Sequence, residues 1–303
     1  NVADHLLGPL ADKPGGWRPM VYCWRGGQRS GSFALILSQI GWRVEVLKGG
    51  YKAWRGLVVR EVYDTPVRAP MVVLDGNTGT GKTEILNLLP AHGVQVIDLE
   101  GLANHRGSLF GAMGPQPSQK AFEGRLAQAL AALDPTRPVV VEAESSKIGQ
   151  CRLPPEIWKA MTKAPRVALS ATARDRARYL TQAYADMTAD PARLMGVIDL
   201  LKPLHPQEVI ATWQAMATTG AFCDLAESLM SRHYDPRYAK HRARMEVRMA
   251  EVAAGSLTPE SLPGTAADVV GTALGVVSGN ALNLPAHPQY GLIGVTGIDN
   301  TAK

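Results

Sequence analysis

The chain has 303 residues, a formal net charge of +5 and a pI of about 9.1, so it is mildly basic and long enough for one to three domains. Its 46% hydrophobic and 19% charged residues are ordinary for a soluble globular protein. Cys23, Cys151 and Cys223 are too few and too scattered for a disulfide framework, which favours a reducing, cytoplasmic location. The N-terminus does not have the pattern of a signal peptide. The apolar stretch 269–284 is too short and too interrupted for a membrane span, so no membrane partner is expected.

The first predicted elements form a β-loop-α-β unit around a cysteine. Residues 19–24 are predicted as a short buried strand and 29–40 as a helix with Ser30 or Ser32 as its N-cap. Residues 42–50 alternate like a strand and stop at two glycines. The cysteine loop therefore lies at the carboxyl end of the first strand, where open α/β sheets bind ligands.

The loop YCWRGGQRS, residues 22–30, is typical of a site that holds a reactive sulfur. Adjacent arginines and a helix N-terminus lower the pKa of a thiol, and Cys23 has Arg25, Arg29 and the predicted helix beside it. The N–H groups of such a loop can also cradle a tetrahedral anion. Cys23 and Arg29 have the C-x5-R spacing of cysteine phosphatases, so a phosphatase or a general sulfurtransferase stays open at this point.

The next group of elements predicts a larger parallel sheet. Buried strands are expected at residues 68–76, 94–98, 137–145 and 166–171, with helical patterns between them. Residues 172–252 are predicted to be mostly helical and are rich in arginine. This alternation predicts an α/β fold whose parallel sheet is covered on both faces.

The sequence GNTGTGKT matches the phosphate-binding pattern G-x-x-x-x-G-K-T between a predicted strand and a predicted helix. Glycines let successive N–H groups point at an anion, and the helix N-terminus adds partial positive charge. Lys82 is expected to reach the terminal phosphates and Thr83 to ligate Mg²⁺. The predicted phosphate-binding residues are Gly76, Asn77, Thr78, Gly79, Thr80, Gly81, Lys82 and Thr83.

Acidic and polar side chains at the ends of neighbouring strands are predicted to complete this site. Asp98, Glu142 and Glu144 each follow a predicted strand, and Glu142, after three valines, is favoured as the Walker B acid. The loop LANHRGS adds polar and cationic groups that are expected to line the same site, namely Asn104, His105, Arg106 and Ser108.

Seven ordered stretches within residues 20–240 carry a family resemblance: YCWRGGQRSGS, LKGGYKAWR, LDGNTGTGKTEIL, DLEGLANHRGSLFG, QPSQKAFEGRL, VVVEAESSKIGQCRLP and HYDPRY. Together they resemble the bacterial tRNA 2-selenouridine synthase family, in which a rhodanese-like domain is joined to a P-loop domain. The resemblance implies that residues 1–60 form a truncated rhodanese-like α/β domain, of which only the C-terminal half is present. A P-loop parallel-sheet domain with a helical, basic C-terminal part is expected over 61–253. Residues 254–303, poor in charge and without a clear period, are expected to form a poorly ordered tail.

The same resemblance implies a transferase that acts on tRNA. Such enzymes replace the sulfur of a wobble 2-thiouridine with selenium from selenophosphate, through an S-geranylated uridine made with geranyl diphosphate. On this resemblance Cys23, beside Arg25 and Arg29, would handle selenium, and the P-loop would hold the diphosphate of the geranyl donor. Mg²⁺ is a candidate cofactor, and a selenophosphate-supplying enzyme is a candidate partner.

The main partner implied is tRNA, bound at its anticodon region, which requires basic protein surface. Residues 174–178 and 232–248 supply arginines, and the tyrosines of the second stretch can stack on unpaired bases. The predicted tRNA-binding residues are Arg174, Arg176, Arg232, Tyr234, Arg237 and Tyr238.

Two further functions stay open on the sequence. A P-loop kinase or NTPase with an accessory domain would hydrolyse nucleotide or transfer a phosphoryl group without needing Cys23. A truncated, inactive remnant would still bind tRNA through its basic helices, in a salt-dependent way.

Overall fold

The computed structural model describes residues 2–242, 247 and 249–277, and the chain divides into two compact units, Asn1–Thr65 and Pro66–Lys303. The division falls later than the expected boundary at residue 60. Helix α3 (Gly50–Val59) does not end there, because a π-helical turn, Arg60–Asp64, continues it. No helix in the described ranges has both the length and the apolar character needed to cross a membrane.

The first unit is a small α/β arrangement around one parallel strand pair, β1 (Met20–Val21) and β2 (Glu45–Val46). Both strands are shorter than the predicted ranges, since only two residues of each strand pair. The helices are α1 (Val2–Leu7), α2 (Gln28–Gln39) and α3. Its central cluster of buried side chains is correspondingly small, namely Val21, Ala34, Leu37 and Trp42. Val58 and Val62 of α3 and the following turn are buried as well.

Helix α2 begins without the serine cap that the sequence predicts. Its N-cap is Gly27, which has no side chain to accept a hydrogen bond from the first turn. Ser30 is buried inside the first turn with its hydroxyl directed at Cys23, and Ser32 is exposed. The cap prediction was therefore wrong, and the serine that it favoured contacts the thiol instead.

The second unit is built on a five-stranded, wholly parallel sheet, which confirms the predicted α/β fold with a parallel sheet. The strand order is β4-β5-β3-β8-β9, so the strand that precedes the P-loop lies at the centre. Runs of valine suit a strand that is buried on both faces. The strands are β3 (Met71–Gly76), β4 (Gln95–Ile97), β5 (Val139–Glu142), β8 (Arg166–Ser170) and β9 (Met249–Ala253).

Helices follow most of these strands and continue into an all-helical part before β9. They are α4 (Lys82–Leu88), α5 (Leu99–Ala103), α6 (Gln119–Ala131), α7 (Pro155–Lys163), α8 (Ala173–Ala183), α9 (Ala185–Thr188), α10 (Pro191–Asp199), α11 (Gln207–Thr218), α12 (Phe222–Leu229) and α13 (Asp235–Arg242). A small antiparallel hairpin is formed by β6 (Lys147–Ile148) and β7 (Cys151–Arg152).

The expectation of a poorly ordered tail after residue 253 was wrong for the part that the structure describes. Helix α14 (Leu262–Val277) buries Ala266, Val269 and Ala273 in the main core of the second unit. Strand β9, which pairs with β8 and ends just before this segment, is a further element that the sequence did not predict. A helix without charged faces is what a buried position requires, so the same composition that suggested disorder suits this helix. Residues 278–303 of the predicted tail lie outside the described residues.

Candidate functional site

The first candidate site is the loop between β1 and α2, which surrounds the sulfur of Cys23. The Ser30 hydroxyl lies 3.2 Å from Cys23 Sγ and 3.0 Å from the Gly27 carbonyl oxygen. A hydroxyl has one proton, so Ser30 donates to only one of these acceptors at a time. A negative charge on the sulfur favours donation to Cys23, because bonds to charged acceptors are stronger.

These contacts lower the pKa of the Cys23 thiol to about 6. The Ser30 hydroxyl is the largest cause, followed by the backbone N–H of Ser30, and the N–H groups of Gly27 and Arg25 add to it. The leading causes are thus hydrogen bonds, among them N–H groups at the N-terminus of α2, which the sequence predicts, whereas the side-chain charges of Arg25 and Arg29 are not among the causes. Both arginines are exposed. At neutral pH Cys23 is mainly a thiolate in a cradle of N–H groups, which is a nucleophile beside a place for an anion.

The N-terminus of α3 contacts the backbone of this loop. The Tyr51 N–H donates to the Cys23 carbonyl oxygen at 2.9 Å. Gly50 has φ +60, and a Cβ there would collide with the Cys23 oxygen and the Gly26 nitrogen. A side chain at Gly50 would therefore push the cysteine loop away, so only glycine fits this close approach.

The second candidate site is the P-loop, which leaves β3 and enters α4 as the sequence predicts. Gly79 has φ +83, and a Cβ there would lie 2.9 Å from the Leu180 side chain. The Lys82 ammonium donates to the carbonyl oxygens of Gly76 at 2.9 Å and Asn77 at 3.4 Å. When a phosphate binds in the loop, the Lys82 ammonium can donate to a charged phosphate oxygen instead of these neutral carbonyl oxygens, and that hydrogen bond is stronger.

A buried ion network, which the sequence did not reveal, anchors the start of the P-loop. Asp75 is 2% exposed and accepts from Arg166 at 2.9 Å and from Arg242 at 3.4 Å. Burial opposes ionisation of Asp75, yet Arg242, the Gly76 N–H and Arg166 hold its pKa below the usual value. Arg242 also donates to the Asn77 side chain at 2.6 Å, so the end of α13 is tied directly to the loop.

The structure corrects the role predicted for Arg176, which is buried and not available to tRNA. Its guanidinium donates to the Thr78 carbonyl oxygen at 2.9 Å and makes a bidentate pair with Asp235 at 2.9 and 2.7 Å. Arg176 therefore joins α8, the P-loop and α13. Arg174 is exposed, but it pairs with Asp224 and Glu227.

A cluster of carboxyl groups faces the P-loop. Thr83 donates to Glu100 at 3.1 Å, and the Glu100 N–H donates to Glu142 at 2.6 Å. The pKa of Glu142 is raised by burial and then by Asp98, and its Oε2 is buried without a hydrogen-bond partner. Asp98 itself caps α5, accepting from the Gly101 N–H at 2.7 Å.

Glu100 and Glu144 are hydrogen-bonded to each other, and both have a raised pKa. Burial and the neighbouring Glu100 carboxylate raise the pKa of Glu144 to about 8, so Glu144 is protonated at neutral pH. Glu100 is not among the predicted site residues; its position just after β4, in DLEGL, is the signal that the sequence offers. Within the described ranges, no three His, Cys, Asp or Glu side chains are grouped so that they could hold a metal ion.

The P-loop and the carboxyl cluster open into one cavity of about 890 Å³. His105, Arg106 and Ser108 line it, as the sequence predicts. Asn104 does not, because it ends α5 with φ 51 and donates its side-chain amide to Pro115. The cations that line the cavity are Lys82, Arg106, Arg166, Arg237 and Arg242.

Arg106 is held at the cavity wall by two contacts. It pairs with Asp186 at 3.1 Å, and its guanidinium lies 4.7 Å from the centre of the Tyr184 ring. The Tyr184 hydroxyl lies 3.3 Å from Ser108. Burial raises the pKa of Tyr184 to about 12, so this hydroxyl stays a neutral hydrogen-bonding group.

A second, mostly apolar chamber shares the residues Thr78, Ser108, Leu180, Tyr184 and Tyr234 with the main cavity. The remaining walls are supplied largely by α9, α10 and α12 and are lined by Met187, Leu194, Phe222, Leu225, Leu229 and Met230. The site thus combines a charged compartment at the P-loop with an apolar compartment beside it.

The predicted tRNA-binding residues of the later stretch divide into two groups. Tyr234, Arg237 and Tyr238 line the P-loop cavity, and the Tyr238 ring centre lies 5.9 Å from the Lys82 ammonium. The Tyr234 hydroxyl is buried. Arg232 is exposed and does not line the cavity. A role of these residues in tRNA binding stays a prediction.

Comparisons with known proteins find a family model and several relatives that share one description. A family model described as tRNA 2-selenouridine synthase AAA domain matches residues 69–197. A tRNA 2-selenouridine synthase of Alcanivorax borkumensis is 33% identical over 247 residues, covering 72% of this chain and 67% of that protein. One of Pseudomonas syringae pv. tomato is 33% identical over 258 residues, covering 76% and 69%. One of Shewanella oneidensis is 39% identical over 169 residues, covering 55% and 43%.

Proposed function

Because the chain belongs to the tRNA 2-selenouridine synthase family, we propose that it converts a 2-thiouridine of tRNA into 2-selenouridine. The observation that carries the proposal is the presence in one chain of two different anion sites. One is a thiolate in a cradle of N–H groups at Cys23, and the other is a P-loop cavity lined by cations. A kinase or NTPase would need only the second site.

The P-loop cavity is proposed to carry out the first transfer, from geranyl diphosphate to the thiouridine sulfur. The sulfur attacks the first carbon of the geranyl group, a carbon–sulfur bond forms, and the carbon–oxygen bond to the diphosphate breaks. Lys82, Arg106 and the P-loop N–H groups would stabilise the charge on the departing diphosphate. The apolar wall beside Tyr184 supports this assignment, since an isoprenoid chain needs apolar contacts close to the phosphate site. The chamber behind that wall has a volume of about 80 Å³, so it would take only part of the chain.

The cysteine loop is proposed to serve the second transfer. A carbon–selenium bond forms at the base, the carbon–sulfur bond to the base breaks and geranylthiol leaves, and cleavage of the selenium–phosphorus bond by water releases phosphate. Selenophosphate is a tetrahedral anion, which suits the N–H groups around Cys23 and the exposed Arg25 and Arg29. An enzyme that makes selenophosphate would be the natural supplier of this substrate. We also propose, as part of the same assignment, that the first unit is a rhodanese-like domain.

Mg²⁺ is proposed to assist the first transfer by neutralising diphosphate charge. The donors that this chain offers are the Thr83 hydroxyl and Glu100 Oε2, which lie 3.1 Å apart, together with the unpartnered Glu142 Oε2. Oxygen donors of this kind suit Mg²⁺, which otherwise keeps water and substrate oxygens as ligands.

The test is mass spectrometry of nucleosides from 2-thiouridine-containing tRNA incubated with the chain, Mg²⁺, geranyl diphosphate and selenophosphate. The wild-type chain should yield selenouridine. Cys23→Ala should accumulate S-geranyl-2-thiouridine, and Lys82→Ala should leave thiouridine unchanged. Folded wild-type chain that consumes neither donor would contradict the proposal. Nucleotide hydrolysis that is equal in wild type and Cys23→Ala would favour the kinase or NTPase alternative.

A further inference from the structure

Three aromatic rings form a tilted ladder beside the cysteine loop. Trp24 and Tyr51 have ring centres 5.3 Å apart at an interplanar angle of 31°, and Tyr51 and Trp54 have centres 5.5 Å apart at 43°. Trp24, at the end of the ladder, is 51% exposed. Tryptophan side chains are usually largely buried, so a half-exposed indole next to a reactive residue is unusual.

The backbone fixes the ladder to the reactive sulfur. Trp24 directly follows Cys23, and the Tyr51 N–H donates to the Cys23 carbonyl oxygen at 2.9 Å. The Lys52 N–H donates to the Trp24 carbonyl oxygen, also at 2.9 Å. The backbone segments that carry Trp24 and Tyr51 are therefore held beside Cys23, so a group stacked on these rings lies close to the thiolate.

The surroundings of the ladder are strongly basic. Residues 18–60 contain eight lysines and arginines and one acidic residue, Glu45. Arg25, Arg29, Lys48 and Lys52 are exposed in the loops and helix ends that carry the ladder. Aromatic rings surrounded by exposed cations are the combination with which proteins bind single-stranded nucleic acid, where rings stack on bases and cations contact phosphates.

We propose that Trp24 and Tyr51 form a stacking platform for the unpaired nucleobase that reacts at Cys23, with the flanking RNA phosphates held by Arg25 and Lys52. This inference rests on the proposed function and adds a recognition site in the first unit. The cationic surroundings favour RNA over a second protein chain, because the platform carries charge that complements phosphates. Trp24 and Tyr51 are assigned as binding residues, separate from the chemistry of the sulfur.

The first experiment maps the position of the base. An anticodon stem-loop RNA with 4-thiouridine at the position of the modified uridine is bound to the full chain and irradiated with long-wavelength ultraviolet light. Peptide mass spectrometry should find the cross-link on residues 22–24 or 51–54. Cross-links confined to the second unit would overturn the proposal.

The second experiment measures the affinity of the same stem-loop as a function of salt. Trp24→Ala should weaken binding about five- to a hundredfold at an unchanged salt slope, because stacking is lost and no phosphate contact changes. Trp24→Phe should recover most of the affinity. Lys52→Ala should instead lower the salt slope by about 0.7. The matched control is Leu57→Ala, a 61% exposed residue of the same helix that lies outside the ladder, and it should bind like wild type.

The outcomes separate this inference from the proposed function. If Trp24→Ala binds RNA and forms the same cross-links as wild type, while the wild-type chain makes selenouridine, the platform is wrong and the function stands. If Trp24→Ala retains RNA affinity but loses self-association in sedimentation, the ladder is a protein interface and the proposal fails. A wild-type chain that binds no RNA overturns both.

Discussion

The cysteine loop of the first unit and the P-loop of the second unit both follow a parallel strand and both lead into a helix, Gln28–Gln39 in one case and Lys82–Leu88 in the other. Their support differs. In the first unit each paired strand has two residues, and the cluster of buried side chains beside them has four members. The P-loop follows the central strand of a five-stranded sheet, and the cluster of buried residues beside that sheet has sixteen described members.

This difference shows that an anion-binding loop can be held in two ways. Around Cys23 the restraint is local, consisting of N–H donors from α3 and a glycine contact at Gly50. At the P-loop the restraint comes from side chains distant in sequence, since Arg166, Arg176 and Arg242 each bind the loop or the strand before it.

The largest expected effect is on the ion network of the second unit. Arg166→Met leaves the buried Asp75 with the Gly76 N–H and a longer contact to Arg242 as its partners, and breaking a buried ion pair costs about 3–5 kcal/mol. Denaturant unfolding of the second unit should show this loss. Arg174→Met, at an exposed pair, should change stability by less than about 1 kcal/mol. Equal effects of the two changes would contradict the buried-network account.

A smaller effect concerns pH at the P-loop. Glu144, with a pKa of about 8, is neutral at pH 7 and ionises as the pH rises through 8, which places a negative charge beside Lys82. Pyrophosphate affinity of the wild type should therefore fall between pH 7 and 9, by about tenfold relative to Glu144→Gln at the same pH. Calorimetric titration measures this ratio, which cancels the ionisation of the ligand itself. The control Glu208→Gln, at an exposed site, should show the same pH dependence as wild type. If the affinity ratio of wild type to Glu144→Gln stays constant across this pH range, Glu144 does not ionise there and the assignment of its pKa is wrong.

In the first unit, the matching prediction concerns the pKa of the Cys23 thiol. Ser30→Ala removes the largest cause of the lowered Cys23 pKa, so the pKa should rise from about 6 towards the ordinary thiol value near 8.5. Below the new pKa less thiolate is present, so iodoacetamide should alkylate Cys23 up to about tenfold more slowly at pH 7. Ser32→Ala, exposed on the same helix, should keep the wild-type profile, and a profile shared by both variants would contradict the role of Ser30.

The smallest effect tests the late helix. Val269→Ala removes two buried methyl groups from the core and should destabilise the second unit by about 1–2 kcal/mol. Leu274→Ala, at a 40% exposed position of the same helix, should cost less. Thermal unfolding measures both. No difference between the two would mean that α14 does not contribute to the core in solution.

The sequence predicted the elements whose signal is local and missed those that depend on distant partners. The P-loop was readable because its spacing, strand and helix lie within a few residues of one another, and the valine-rich strands were readable from their composition. The pairing of Asp75 with Arg166 and Arg242 was not, because the partners are separated by 91 and 167 residues. Arg176 was assigned to tRNA for the same reason: its charge was visible in the sequence, whereas its burial against Asp235 was not.

Some predictions of local structure were wrong where one residue could take either of two local roles. Ser30 was a reasonable helix cap by residue type, but the neighbouring sulfur uses its hydroxyl. Asn104 was grouped with the polar residues of its loop, yet its left-handed backbone makes it a helix end. Residues 262–277 carry a single charged side chain, Asp268, and no clear cap; charges and caps are signals of an exposed helix, and a buried helix does not need them.

The central claim is that the two loops serve two successive transfers, and supplying the intermediate tests it most directly. Lys82→Ala and Cys23→Ala chains are each given tRNA that already carries S-geranyl-2-thiouridine, together with selenophosphate, and the nucleosides are analysed by mass spectrometry. The account predicts selenouridine with Lys82→Ala at close to the wild-type rate and none with Cys23→Ala. Selenouridine from Cys23→Ala, or its absence with a folded Lys82→Ala chain, would contradict the division of labour between the two loops.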